Sequence, residues 1–179
     1  EMQNELRTLQ QRLKITTILV THDQREAMTM ADTIVVMGEG QIQQHGPPVD
    51  IYRRPVNRFV ADFIGASNLL AVEVLDGHTV RYGAIPLRVA AACGPGGAAA
   101  TLAIRPEDII LSRTAGGGAN EVAGVISLVR DMGAYVEYRI DCQGQDILGV
   151  STPRDWIGAA VGEIAHIRLP VESCQVLGR

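Results

Sequence analysis

Lysine is almost absent from this chain: of its 16 basic residues only Lys14 is lysine, and it stands between an amphipathic segment and an apolar run. A phosphate-cradling loop of the form GxxxxGK(S/T) needs a lysine beside its glycines for the β- and γ-phosphates. These residues hold no such loop, and the clusters 94–97 and 116–118 read as solvent loops. Cysteine is also scarce. Cys93, Cys142 and Cys174 are odd in number and form no CxxC pair, which excludes a disulfide framework and a zinc knuckle and points to a reducing compartment. No uncharged run reaches the roughly 18 residues of a membrane span, and the charged amino-terminal stretch has no signal-peptide core. A soluble, cytoplasmic chain is expected. Aromatic residues make up 4% of the sequence and the net charge is −4, split as 7 basic against 8 acidic residues in 1–68 and 9 against 12 in 69–179. A nucleic-acid groove interleaves basic and stacking residues, and Tyr82, Tyr135, Tyr138 and Trp156 in an acidic half do not supply one. No nucleic acid is expected as a partner.

What is present suffices for one or two domains with a real core: 179 residues, 46% of them hydrophobic. Met2, Leu6, Leu9 and Leu13 recur at helical spacing and predict a helix over 1–13. Residues 15–20 are β-branched and continuously apolar, the pattern of a strand buried on both faces of a parallel sheet. Thr21, His22 and Asp23 end that run. Asp23 and Glu26 form a capping-box pattern that starts a short helix through Ala27, Met28 and Ala31. A hairpin over 33–45 and two short helices follow, one opened by Gly46-Pro47-Pro48 and stopped by Pro55, the other running from Asn57 to Ile64 with Gly65 beyond it. After Asn68 the period becomes two, and eight short strands, at about 70–75, 79–82, 87–89, 101–104, 122–129, 135–141, 146–150 and 164–169, read as a small all-β barrel or sandwich.

Among residues able to carry chemistry, His22 is the most informative, because it lies where an apolar run ends and a helix begins, and free backbone N–H groups at such a place attract phosphate. Position alone also fits a partly exposed loop histidine. No second histidine stands at helical spacing from it, and His45, His78 and His166 are scattered, so no metal is expected. A GxSxG elbow is absent. Glu107-Asp108 reads as a solvated turn, and the cysteines as small hydrophobes or loop residues.

Ile18-Leu19-Val20-Thr21-His22-Asp23-Gln24 followed by Glu26-Ala27-Met28 resembles the switch-histidine loop of ATP-binding cassette (ABC) importer ATPases. Ala31-Asp32, Ile34 to Met37, Gly40-Gln41-Ile42, Gly46-Pro47, Ile51 to Pro55 and Asn57 to Gly65 continue the resemblance in order. Ile104-Arg105-Pro106-Glu107-Asp108, Gly133 with Tyr135 to Tyr138, and Gly162-Glu163 are similar to the OB-like regulatory barrel of those subunits, the TOBE domain.

The resemblance implies an α/β fragment, the C-terminal part of a P-loop NTPase domain, over 1–68, and an all-β OB-like barrel (TOBE domain) over 69–179. It implies that His22 senses the γ-phosphate and helps place the attacking water. The P-loop, signature segment, Mg²⁺-binding carboxylate and catalytic glutamate of the family would lie upstream of Glu1. ATP and Mg²⁺ are thus cofactors of the complete subunit, and this chain alone is expected neither to hold them nor to hydrolyse ATP. The implied partners are a second copy of the subunit, transmembrane permease subunits and an external solute-binding protein, on the cytoplasmic face of the membrane. An uncovered edge at 15–20 predicts self-association. Gly65-Ala66-Ser67-Asn68 enters the barrel without the longer Ser-Pro linker of sugar importers, which leans towards polyamine, ferric-ion or phosphonate uptake. A stand-alone small-anion or regulator-binding OB-like module is the alternative.

Overall fold

The computed structural model describes residues 2–91 and 93–178, with side chains from residue 5 onward, so Glu1 and the side chain of Met2 lie outside the described part. Two compact units divide the chain, residues 1–65 and 66–179. The first unit runs α1 (Met2–Leu13), α2 (Gln24–Met30), β1 (Ile34–Gly38), β2 (Gln41–Gly46), α3 (Pro48–Arg53) and α4 (Arg58–Phe63). Its core gathers Ile34 and Val36 from one face of β1, Ile51 of α3, Val60 of α4 and Ile64, with Ala27, Met28 and Ala31 packed against them. Strand β2 is polar because its side chains serve the segments beside it. Gln44 donates to the Arg54 carbonyl at 2.9 Å and accepts from the Val56 N–H at 3.0 Å. Gln43 accepts from Asn57, whose own carbonyl oxygen caps α4 by accepting from the Val60 N–H at 2.9 Å. Phe59 stacks on Phe63 and lies so close to Gly38 that a Cβ there would meet its ring at 2.6 Å.

Residues 15–20 correct the sequence-based expectation. They belong to no strand and lie exposed, Ile18 by 89% and Val20 by 92%. A parallel strand needs neighbours to take its hydrogen bonds and cover its two faces. Among the described residues the first unit offers only the two-stranded β1–β2 sheet, which pairs antiparallel within itself. The α1 stripe is likewise uncovered, with Leu6, Leu9 and Leu13 about half exposed. Arg7 ties α1 to the end of α2, pairing with Asp32 at 2.9 Å and donating to the Met30 carbonyl.

The second unit is all-β. It contains β3 (Asn68–Asp76), β4 (Thr79–Tyr82), β5 (Ile85–Arg88), β6 (Ala99–Ile104), a 3₁₀ turn (Pro106–Asp108) and β7 (Ile110–Ser112), then β8 (Glu121–Asp131), β9 (Val136–Cys142), β10 (Gln145–Ser151), β11 (Ile164–Arg168), a second 3₁₀ turn (Val171–Ser173) and β12 (Gln175–Leu177). The order is the same twice over: four strands, a 3₁₀ turn and a short fifth strand. The two antiparallel sheets run β12-β6-β3-β4-β5 and β7-β11-β8-β9-β10. Strands β3 and β8, β4 and β9, β5 and β10, and β6 and β11 therefore occupy equivalent places, while the fifth strands are exchanged. β7 pairs with β11 of the second half, and β12 with β6 of the first.

Equivalent positions have equivalent burial: Leu102 and Ile167, Ile104 and Leu169, Ile109 and Cys174 are all buried. Apolar residues of both sheets, among them Leu70, Val80 and Tyr82 of one and Ile126, Tyr138 and Ile167 of the other, join in a single core. Tyr82 crosses it, donating to the Cys142 carbonyl at 2.5 Å.

Candidate functional site

His22 sits between two capping residues. The Thr21 hydroxyl accepts from the Asp23 N–H at 2.9 Å and donates to Glu26 at 2.7 Å. Asp23 caps α2, accepting from the N–H groups of Arg25 at 2.8 Å and Glu26 at 3.3 Å. Gln24 joins this corner to the end of α4, donating to the Phe63 carbonyl and accepting from the Gly65 N–H at 2.7 Å. The bend is braced from both sides, and the imidazole of His22 is exposed on it. One expectation changes. Two of the first backbone N–H groups of α2 are already taken by Asp23, so the corner beside His22 is not an open helix terminus.

The second unit holds a cavity of about 200 Å³ between β7, β11 and the loop that leads to β8, lined by Ser112, Thr114, Gly118, Glu121, His166 and Arg168 among others. Glu121 is its organising group. Its carboxylate accepts from the Gly116 N–H at 2.9 Å and the Gly118 N–H at 3.3 Å, and lies 3.3 Å from Nδ1 of His166. The Gly116 N–H above all, then that of Gly118 and the imidazole, hold this carboxyl below its ordinary range. The sequence pattern marked Gly116 to Gly118 as a solvent loop and His166 as one of several scattered histidines, with nothing to join them. The signal available was His166-Ile167-Arg168, two polar residues two apart in a strand and therefore on one face. Their approach to Glu121, 45 residues earlier, comes from the β8–β11 register, which sets His166 opposite Ala123 and Arg168 opposite Glu121.

Glu107 and Asp108 form part of the first 3₁₀ turn. Beside them Arg105 is buried and donates to the Ser67 hydroxyl at 2.6 Å. Cys142 and Cys174 are buried, and burial pushes both thiols up, that of Cys174 to about 12. No group of three or more His, Cys, Asp or Glu side chains among the described residues is placed to hold a metal ion.

The TOBE domain family model matches residues 102–177. Over 98% of its length the chain is 42% identical to the spermidine/putrescine import ATP-binding protein PotA 1 of Pseudomonas aeruginosa, and it spans 49% of that protein. The chain carries a TOBE domain and is related to the ATP-binding subunits of ABC importers. It is 38% identical to PotA of Bacteroides fragilis, over 90% of this chain and 35% of that one. It is 40% identical to the Fe(3+) ions import ATP-binding protein FbpC of Brucella abortus (strain 2308), over 79% and 40%. The chain thus spans half or less of the length of these relatives. The family match takes in β7 to β12 whole, and the chain shares the fold of a crystal structure of the cytoplasmic molybdate-binding protein ModG with molybdate bound. That match has a TM-score of 0.56 at 12% identity and covers 63% of this chain and 96% of that one. The fold is accordingly a mixed α/β unit followed by an OB-like all-β unit, and no helix among the described residues is long and apolar enough to cross a membrane.

Proposed function

We propose that this chain is part of the ATP-binding subunit of an ABC importer, in which residues 1–68 contribute the switch-histidine portion of the nucleotide-binding domain and residues 69–179 the regulatory barrel. The observation that carries the reading is the 42% identity over 98% of the chain to such a subunit, of which the chain spans about half. Phosphoryl transfer is accelerated mostly by positioning and electrostatic help. His22 is suited to that task, since its exposed imidazole stands on a bend fixed by Thr21, Asp23 and Glu26 and tied by Gln24 to the end of α4. In the complete subunit it contacts the γ-phosphate and helps orient the attacking water.

ATP and Mg²⁺ supply the transferable phosphoryl group and its charge neutralisation. A lysine-bearing glycine loop for them is not among these residues. The chain by itself therefore neither binds ATP tightly nor turns it over. Two copies of the complete subunit close on two nucleotides and drive permease subunits fed by a solute-binding protein, on the cytoplasmic side of the membrane. The names of the relatives favour a polyamine as solute, with sulfate or thiosulfate and ferric ion after it. Nucleotide titration and phosphate-release measurements on this chain are expected to give neither saturable ATP binding nor turnover, and turnover at the level of an ordinary ATPase would defeat the proposal.

A further inference from the structure

Every residue from Phe63 to Ser67, where the chain passes from the first unit into the second, is held by its own unit. The Gln24 amide donates to the Phe63 carbonyl, Ile64 is buried in the first core, and the Gly65 N–H donates to Gln24 Oε1 at 2.7 Å. Beyond the boundary after Gly65, the buried Arg105 donates to the Ala66 carbonyl at 3.4 Å and to the Ser67 hydroxyl at 2.6 Å. Links between domains are ordinarily exposed and flexible segments. Here Gln24 holds the last residue of one unit and Arg105 the first residue of the next, one peptide bond apart.

A helix end normally satisfies itself, with N–H groups past the last turn returning to its carbonyls. At the end of α4 the Ile64 N–H does so, to Val60. The next N–H, that of Gly65, and the carbonyl of Phe63 go instead to one side chain from another helix. Two hydrogen bonds to a single amide fix direction as well as distance. Gln24 is also the first residue of α2, next to the Asp23 cap and two residues from His22. Helices in proteins owe most of their stability to the packing of a buried face. Helix α2 has 7 residues, none of them buried, so its polar ties decide where its first turn lies.

We infer that Gln24 is a positioning residue through which the second unit acts on His22. A displacement of Ala66 and Ser67 reaches Gly65 and Phe63 along the backbone and is taken up by the Gln24 amide. It thereby moves the first turn of α2 and the imidazole just before it. Movement of His22 reaches the entry to the barrel by the same route, since coupling between two sites is reciprocal. The consequence for ATP hydrolysis rests on the reading of His22 as the switch histidine, whereas the coupling itself is a property of this chain.

A double-mutant cycle on the full chain, read by the His22 ring resonances, tests the coupling. Ser67→Ala, which removes the hydroxyl that Arg105 holds, is expected to shift those resonances although it lies in the other unit. In a Gln24→Ala background that effect should be lost. In a Thr29→Ala background it should persist, because Thr29 bonds only within α2, to the Arg25 and Glu26 carbonyls, and Gln24 is intact. The comparison separates a cut tie from a loosened helix. Should Gln24→Ala fail to fold, judged by the amide resonances of β1 and β2, Gln24→Glu takes its place. It keeps the acceptor for the Gly65 N–H and loses the donor, and a diminished Ser67→Ala effect is expected there too. A Ser67→Ala shift that is absent from the parent, undiminished by the Gln24 substitution, or lost equally in Thr29→Ala would overturn the inference.

In the polypeptide that joins this segment to a P-loop and signature segment, Ser67→Ala should alter kcat for ATP and leave KM as it is, and Gln24→Ala should abolish that difference. An unchanged kcat would equally overturn the inference. The two readings fail separately. Hydrolysis indifferent to His22→Ala, with the resonance coupling intact, would defeat the switch-histidine role alone. Absent coupling, with hydrolysis lost in His22→Ala, would defeat the role of Gln24 alone.

Discussion

Asn68 and Asn120 make the same pair of hydrogen bonds in opposite directions across the second unit. Asn68, at the start of β3, donates to the Leu148 carbonyl at 2.8 Å and accepts from the Leu148 N–H at 2.7 Å. Asn120, one residue before β8, donates to the Arg88 carbonyl at 2.7 Å and accepts from the Arg88 N–H at 2.6 Å. Each side chain thus imitates a strand and seals the edge of the opposite sheet, β10 in one case and the end of β5 in the other. Both asparagines are buried, so the two amide arms meet partners that have no ready substitute in water.

Removing either clamp leaves an N–H and a carbonyl unsatisfied. An unsatisfied buried group costs about 1–3 kcal/mol, so Asn68→Ala and Asn120→Ala are each expected to lower the stability of the second unit by about 2 kcal/mol or more. Urea denaturation followed by the fluorescence of Trp156, the one tryptophan, measures it. Asn120 carries an added constraint, since its φ of 58° lies in the left-handed region that asparagine tolerates better than alanine. Asn120→Ala should be the more damaging of the two.

Exchange of β7 and β12 makes each half depend on the other for a strand. Peptides 66–117 and 118–178 are expected to be unfolded separately and to assemble into an equimolar complex with native near-ultraviolet circular dichroism when mixed. Independent folding of either half would show that the exchanged pairing is dispensable.

The lowered pKa of Glu121 makes its contribution dependent on pH, with a definite sign. A carboxyl whose folded pKa lies below its unfolded value stabilises the fold above the unfolded pKa, about 4.3 for glutamate. That contribution is lost as pH falls through the folded value. Glu121→Gln should accordingly be less stable than the parent at pH 7, and the difference should shrink steadily in acid. A stability gap that widens below pH 4 would contradict the assignment.

Thiol chemistry distinguishes the three cysteines. Cys142 and Cys174 are buried with raised pKa values, whereas Cys93 is only partly buried, its Sγ 3.0 Å from the Asp76 carbonyl. The thiolate is the reactive form. At pH 8 a maleimide should label Cys93 alone in the native chain and all three in denaturant, as counted by mass spectrometry.

Strands with a period-two pattern, the Asp23 cap and the β1–β2 hairpin were legible because each is written in consecutive residues. β7 and β12 were not: a three-residue strand after a 3₁₀ turn carries too short a pattern, and the exchange that pairs it is set by the whole sheet. Residues 15–20 mislead for a different reason. Hydropathy marks what a chain can bury, and whether a neighbour is there to bury it is a property of the packed unit. The cavity of Glu121, His166 and Arg168 was hidden by sequence distance, since only the β8–β11 register brings its members together.

The central claim, that His22 serves ATP hydrolysis in an importer subunit, is tested most directly by His22→Ala in the polypeptide that joins this segment to a P-loop and signature segment. The account predicts ATP binding close to that of the parent and a hydrolysis rate lower by about a hundredfold or more, the scale on which a positioned acid–base group acts. Hydrolysis at the parental rate by a folded, ATP-binding His22→Ala subunit would contradict it.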